Sequence, residues 1–478
     1  MIELLSSRSR VSNWLSCPRA RWWLDEAQGT GFSPLRVSLP LATGGAVHKG
    51  LAELLRGAAN ILTRVPNVIE KSAQIGIQAY EAECQDRGLD LDLLESQSFV
   101  FNEQRALTEA LVRVAGMRVI PQLLETYEVL EVERMDTRPL GFCEGFSILW
   151  RSIPDALLRH RESRDLYLLS WKTAAFLPFD DPGRIDMQGV SEAWGLQARL
   201  DEYARKIATG TDEEDVPKWF REIYDHWGNG SVPGIRGVQM IYLVKGTRRA
   251  GSKELRDQIF GEGSPGEVKK TASPLIYGYA DSSVPAKLAT DLYWTCQEPH
   301  PFRYAKGGVC PGGKNHRRGD DWKSFPVWGA MGVKEWIRML DAGEVTPEAG
   351  DVLDAQWAMP VPFFRTDEQR DDWLSQTRAS EVRIARDLLR LWEAESRIKE
   401  LYIATGGWES SSMDQEFNAM LNSSVLGPQN ASKCSFWYGG KCPCHDLCWG
   451  PDHIRRDPVG SGIYRIKPAK VAEVEVEE

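Results

Sequence analysis

The segment LYLLSWKT, Leu166 to Thr173, decides how the chain is read. Its alternation of Leu and aromatic residues fits a short half-buried strand, and a period of two places Ser170 and Lys172 on one face with Trp171 on the other. A hydroxyl and an ammonium then share one side of a sheet. Just upstream, RSIPDALL carries Asp155 after Pro154 in a second strand-like run, close enough in sequence to pair with the first as a hairpin. Such a hairpin sets a carboxylate beside a lysine.

Outward from the hairpin, YEVLEVERMD and LGFCEGFSILW alternate as further strands. Downstream, GVSEAWGLQARLDEYARKI has a helical period and contains Gln197 and Tyr203, and RGVQMIYLVKG reads as a last strand. From about Lys71 to Leu124 the period is helical throughout. In LATGGAVHKGLAELL, Gly44 and Gly45 precede a helix with His48 on its first turns. Nearer the start, SRVSNWLSCPRARWWLDEA is an amphipathic helical pattern interrupted at Cys17-Pro18.

With 478 residues the chain is too long for one ordinary core, so two or three sub-domains, or one core with large insertions, are expected. Hydrophobic content of 42% and charged content of 26% suit a soluble globular protein. No apolar run approaches the ~18 residues that cross a membrane, and MIELLSSRSR has no secretory core, so a cytoplasmic protein without a membrane partner is expected. The net charge of -10 argues against a nucleic-acid partner as a sum, but its distribution argues otherwise. VAEVEVEE concentrates acid in a tail, whereas Arg8, Arg10, Arg19, Arg21, Lys433, Lys441, Arg455, Arg456, Arg465, Lys467 and Lys470 enrich both ends in cations. Solvated charge on surface helices is the plainer alternative.

Of 9 cysteines, Cys17 lies near the start, and Cys434, Cys442, Cys444 and Cys448 lie in KCSFWYGGKCPCHDLCWG. An odd count in a chain with no signal peptide suits a metal or iron-sulfur site better than disulfides. Zinc on Cys442, Cys444, His445 and Cys448 is one possibility, and an iron-sulfur cluster is another. GVCPGGKN, Gly308 to Asn315, approaches a phosphate-binding loop, but Asn315 stands where the loop needs Ser or Thr, so no nucleotide motor is expected. DEQRDDWLSQTRASEVRIARDLLRLWEAESRIKEL reads as a long charged helix of about ten turns at ~3.6 residues each, packing one face on the core. Trp14, Trp22, Trp23, Trp437 and Trp449 lie beside the terminal cysteines, where they are either core or stacking platforms for unpaired bases.

Taken together, the Cys-Pro-Arg helix, the glycine-led helix with His48, Asp155, Lys172, Gln197 with Tyr203, and the trailing cysteines resemble, in that order, the RecB-type branch of the PD-(D/E)XK nucleases. The resemblance implies an α/β fold: a restriction-endonuclease-like core with a central mixed sheet flanked by helices, helical insertions and a C-terminal iron-sulfur segment. It divides the chain into N-terminal helices (1–60), a helical region (61–125), the nuclease core (126–246), an insertion and helical region (247–430), the cysteine segment (431–465) and an acidic tail (466–478). The cysteine order is similar to that of AddB-type and CRISPR-adaptation nucleases. It implies a [4Fe-4S] cluster on Cys17, Cys434, Cys442 and Cys448, with Cys444 as a substitute ligand because Cys434 lies farther from Cys442 than is usual.

The activity implied is metal-dependent phosphodiester hydrolysis, as by an exonuclease of recombination, phage or CRISPR-adaptation systems. Its substrate is single-stranded DNA or duplex ends, and a recombination or helicase protein is a possible partner. His48 and Asp155 would hold Mg²⁺ or Mn²⁺, Lys172 would orient water or stabilise negative charge, and Gln197 with Tyr203 would position the backbone. Tyr203 departs from the family spacing, since five residues separate it from Gln197 where three are usual. Ser170 departs further, standing where the family has an acid. Either Glu133, Glu144 or Asp165 supplies the missing carboxylate, or the chain has lost catalysis and retains DNA binding.

Overall fold

A computed structural model describes residues 2–35, 38–60, 66–92, 99–143, 145–174, 187–211, 213–227, 234–244, 248–250, 269–271, 293–296, 322–325, 357–363, 366–406, 411–421, 426 and 442–467. Cys434, Glu144, Trp437, the loop Gly308 to Asn315 and the acidic tail fall outside them. The N-terminal elements are β1 (Ile2–Ser6), α1 (Arg8–Ser16), α2 (Pro18–Arg21), β2 (Phe32–Pro34), α3 (Leu39–Asn60), α4 (Pro66–Asp86), α5 (Phe99–Val114) and α6 (Ile120–Thr126). Next come β3 (Tyr127–Val132), β4 (Asp136–Cys143), β5 (Phe146–Ser152), β6 (Ala156–His160), β7 (Leu166–Ala174), α7 (Met187–Thr209), α8 (Lys218–Trp227) and β8 (Ile235–Val244). Short strands β9 (Arg248–Ala250), β10 (Lys269–Thr271), β11 (Tyr293–Cys296), β12 (Trp322–Phe325) and β13 (Trp357–Ala358) follow. The last elements are α9 (Asp367–Thr405), α10 (Ser411–Leu421), α11 (His445–Trp449), α12 (Asp452–Arg456) and β14 (Tyr464–Ile466).

The expected hairpin forms: β6 and β7 are antiparallel, with Ala156 opposite Leu169. β7 continues parallel to β8 through a crossover that contains α7 and α8. The result is a mixed five-stranded sheet in the order β13, β8, β7, β6, β3. Tyr167, Leu169 and Trp171 join the core under α3, α5 and α6, with Leu51, Leu55, Leu111 and Leu123. Leu166 and Leu168 join a different core with Leu196, Leu200 and Phe220 of α7 and α8. The strand is therefore buried on both faces as far as Trp171, not half-buried, as a strand between two helical layers must be.

The strands upstream divide where one run was expected. β3 pairs with β6, but β4 and β5 leave to form a separate sheet in which β1 runs parallel to β5. This second sheet buries Leu4, Ile148 and Trp150 against Trp194 of α7 and Trp373, Ile384 and Leu388 of α9. Helix α7 thus contributes to the cores of both sheets, and two glycines let it approach them. A Cβ on Gly189 would stand 2.7 Å from Val238 Cγ2, and one on Gly195 would stand 2.5 Å from Ser152 Oγ. The long charged helix is α9, opened by a Thr366–Gln369 capping box and closed by Gly406 at φ 72°.

The two ends of the described chain meet. β2 pairs antiparallel with β14, the Thr30 hydroxyl donates to the Lys467 carbonyl at 2.7 Å, and Tyr464 donates to the Pro443 carbonyl at 2.9 Å. Arg21, fully buried, bonds Glu26 at 3.0 Å and Glu381 of α9 at 2.8 Å. No helix among the described residues is long and apolar enough to cross a membrane.

Candidate functional site

Helix α3 is brought onto the end of β7 by Gly44, where a Cβ would stand 3.3 Å from Thr173 Oγ1. His48 lies one turn further along the same face, while Val47, Leu51 and Leu55 anchor the helix in the core. Asp155 sits one residue ahead of β6, not inside it, in the turn that Pro154 makes after β5. The two side chains meet: His48 Nδ1 lies 2.9 Å from Asp155 Oδ1, and the Trp171 backbone N–H donates to Asp155 Oδ2 at 2.7 Å. A carboxylate only accepts, so His48 donates through Nδ1 and its Nε2 lies on the far side of the ring from Asp155. With side chains 29% and 16% exposed, the pair is held firmly yet open to solvent.

Ladder register places Asp155 next to Ser170 across the hairpin. Ser170 and Lys172 fall on the face of β7 that carries Leu166 and Leu168, toward α7. Ser170 is only 2% exposed, and its hydroxyl has no hydrogen-bond partner among the described residues. Lys172 is half-buried. Asp165 lies at the opposite end of β7 from Lys172, about 23 Å away along a strand that rises ~3.3 Å per residue, which removes it as the missing acid.

Glu133 is closer. It follows β3 in the left-handed region at φ 50°, and its N–H donates to the Asp155 carbonyl at 3.1 Å. Its carboxylate turns to Lys49 at 3.4 Å and Arg56 at 3.8 Å. Gln197 bonds Asp201 at 3.0 Å, and Tyr203 is buried against Phe220, its hydroxyl without a hydrogen-bond partner among the described residues. Neither makes a hydrogen bond to His48 or Asp155. The structure also shows an acid that the sequence reading passed over: Glu192 is buried on α7, within the helical stripe of Gly189, Ala193 and Leu196. Its signal was a carboxylate interrupting an apolar period of 3.6.

Cys17, Cys442, Cys444 and Cys448 are all buried, and none forms a disulfide among the described residues. They gather around Cys444, whose thiol is pushed far above the ordinary range by burial, by a hydrogen bond with Cys442 and by the nearness of Cys442, Cys448 and Cys17. Soft thiols fit zinc or an iron-sulfur cluster in donor chemistry. Yet among the described residues no three His, Cys, Asp or Glu side chains form a group that could hold a metal ion, at the cysteines or at His48 and Asp155.

Lys433, Lys441 and Lys470 lie outside the described residues, and several of the other terminal cations serve the fold. Arg19 bonds the Leu421 carbonyl, Arg10 the Leu5 carbonyl and Glu26, Arg456 Asp414, Arg465 Asp86, and Lys467 the Leu24 carbonyl. Trp14, Trp22 and Trp23 are core, whereas Trp449 is exposed. No known protein family's sequence pattern matches the chain, and no curated protein matches it.

Proposed function

We propose that the chain is a metal-dependent DNA nuclease of PD-(D/E)XK type, acting on single-stranded or duplex ends, with its site at His48, Asp155 and Lys172. The observation that carries this reading is the Asp155 carboxylate, clamped between His48 and the Trp171 amide beside the strand that bears Lys172. One imidazole and one carboxylate would fit a divalent ion as a partial set, completed by water, once the His48–Asp155 hydrogen bond gives way to the ion, and Mn²⁺ accepts nitrogen more readily than Mg²⁺. A bound ion would supply Lewis acidity and a lowered pKa for water. Before an ion binds, Asp155 orients the His48 ring through Nδ1. Lys172 supplies positive charge on the neighbouring strand. Thiolate binding of a [4Fe-4S] cluster or zinc by Cys17, Cys442, Cys444 and Cys448 belongs to the same proposal.

Ser170 favours a second reading. A buried neutral hydroxyl in the place of an acid leaves the site short of charge, as in a DNA-binding relative without catalysis. Cleavage of end-labelled DNA in Mn²⁺, read beside DNA binding, separates the two. The nuclease reading expects cutting that Asp155→Ala lowers by at least about a hundredfold with binding kept. Binding without cutting favours the second reading, and neither binding nor cutting ends both.

A further inference from the structure

Most of the described terminal cations that were expected to meet DNA are engaged in tying the chain together. A different pair stands beside the site. Lys49 follows His48 directly, and Arg56 lies two turns further along α3. Both reach the same atom, Glu133 Oε2, at 3.4 and 3.8 Å. Two cations that converge on one carboxylate oxygen converge equally on one phosphate oxygen.

The holding is loose. Both distances exceed those of a charge-assisted hydrogen bond, and the cations are 62% and 46% exposed, so the pairs contribute little in water. Glu133 is the firmer member, 19% exposed and fixed by its backbone bond to Asp155. Its left-handed backbone is uncommon for a residue with a side chain, and such outliers cluster at binding and switch sites. A left-handed residue bonded to the Asp155 backbone thus presents an anion to two accessible cations.

We infer that Lys49 and Arg56 clamp a backbone phosphate of nucleic acid beside the His48–Asp155 pair, and that Glu133 is their resident anion, displaced when a strand binds. The inference rests on the nucleic-acid reading above. Glu133 competes with the substrate for the clamp, so weak or short encounters are refused and a strand that also fills the neighbouring site is kept.

Fluorescence anisotropy of a labelled single-stranded oligonucleotide on the full chain, without divalent metal and across a salt series, tests this. Lys49→Gln should weaken binding and lower the salt slope by about one. Glu133→Gln should bind several-fold more tightly than wild type at low salt, and adding Lys49→Gln should remove that gain. Wild type and Lys49→Gln with equal affinity and equal slope would overturn the clamp and leave the nucleic-acid reading standing, as would a Glu133→Gln protein of native circular dichroism that binds no tighter. Absence of binding by every variant at ~50 mM salt would overturn both.

Discussion

Ser170 places a buried hydroxyl where no described residue bonds it. An unsatisfied buried polar group costs about 1–3 kcal/mol. Ser170→Ala is therefore expected to raise unfolding free energy in urea by about 1 kcal/mol, and a fall would show that the hydroxyl has a partner in solution. Ser170→Glu is the complementary change. It sets a carboxylate on the face shared with Lys172, and it should raise cutting in Mg²⁺ if the missing charge is what limits the site. A drop in robust wild-type cutting would instead mean that another acid fills the position. At this scale the pattern around LYLLSWKT was legible, because period two alone separates Ser170 and Lys172 from Trp171. The left-handed backbone at Glu133 was not, since that residue is neither Gly nor Asn, and its N–H bond to the Asp155 carbonyl is a long-range contact.

Among the elements, α9 shows what its sequence could and could not tell. Its charged exterior and apolar stripe were readable, but the partners of that stripe, the second sheet and α7, were not. That sheet depends on β1 pairing with β5 across most of the N-terminal half of the chain, and β4 and β5 alternate no differently from β3. Glu395 on this helix accepts from the Gln28 N–H at 3.1 Å, and burial raises its carboxyl above the usual range, opposed by Lys399 and that N–H. Because the folded state then holds the proton more tightly than the unfolded chain, its charged form detracts from stability at neutral pH. The deficit disappears as pH falls through the folded value toward the unfolded one. Glu395→Gln should accordingly be neutral to stabilising at pH 7 and lose that advantage near pH 4, in urea melts at both. A mutant less stable at pH 7 than at pH 4, relative to wild type, would contradict this.

For the molecule as a whole, the ends are joined by the β2–β14 ladder, the Arg21–Glu381 pair and a buried group of thiols. Removing one partner of a buried ion pair costs about 3–5 kcal/mol, so Glu381→Gln should sharply lower the urea midpoint even in a metal-free protein. Iron, sulfide and zinc analysis of anaerobically purified protein should return a thiolate-bound metal that Cys17→Ser and Cys444→Ser each diminish. Metal-free protein of native stability would remove the cluster from the account. Cysteine order made the meeting of the termini legible, whereas the use of Arg19, Arg21 and Arg465 as structural ties was hidden, because a cation's sequence neighbours do not show what it pairs with in space. The rate at which the wild-type chain releases nucleotides from end-labelled DNA reads out the proposed site at His48, Asp155 and Lys172. Faster cutting in Mn²⁺ than in Mg²⁺, abolished in both by His48→Ala and by Asp155→Ala, is the result predicted. Cutting that survives both substitutions, or none in either metal from a folded protein, would contradict it.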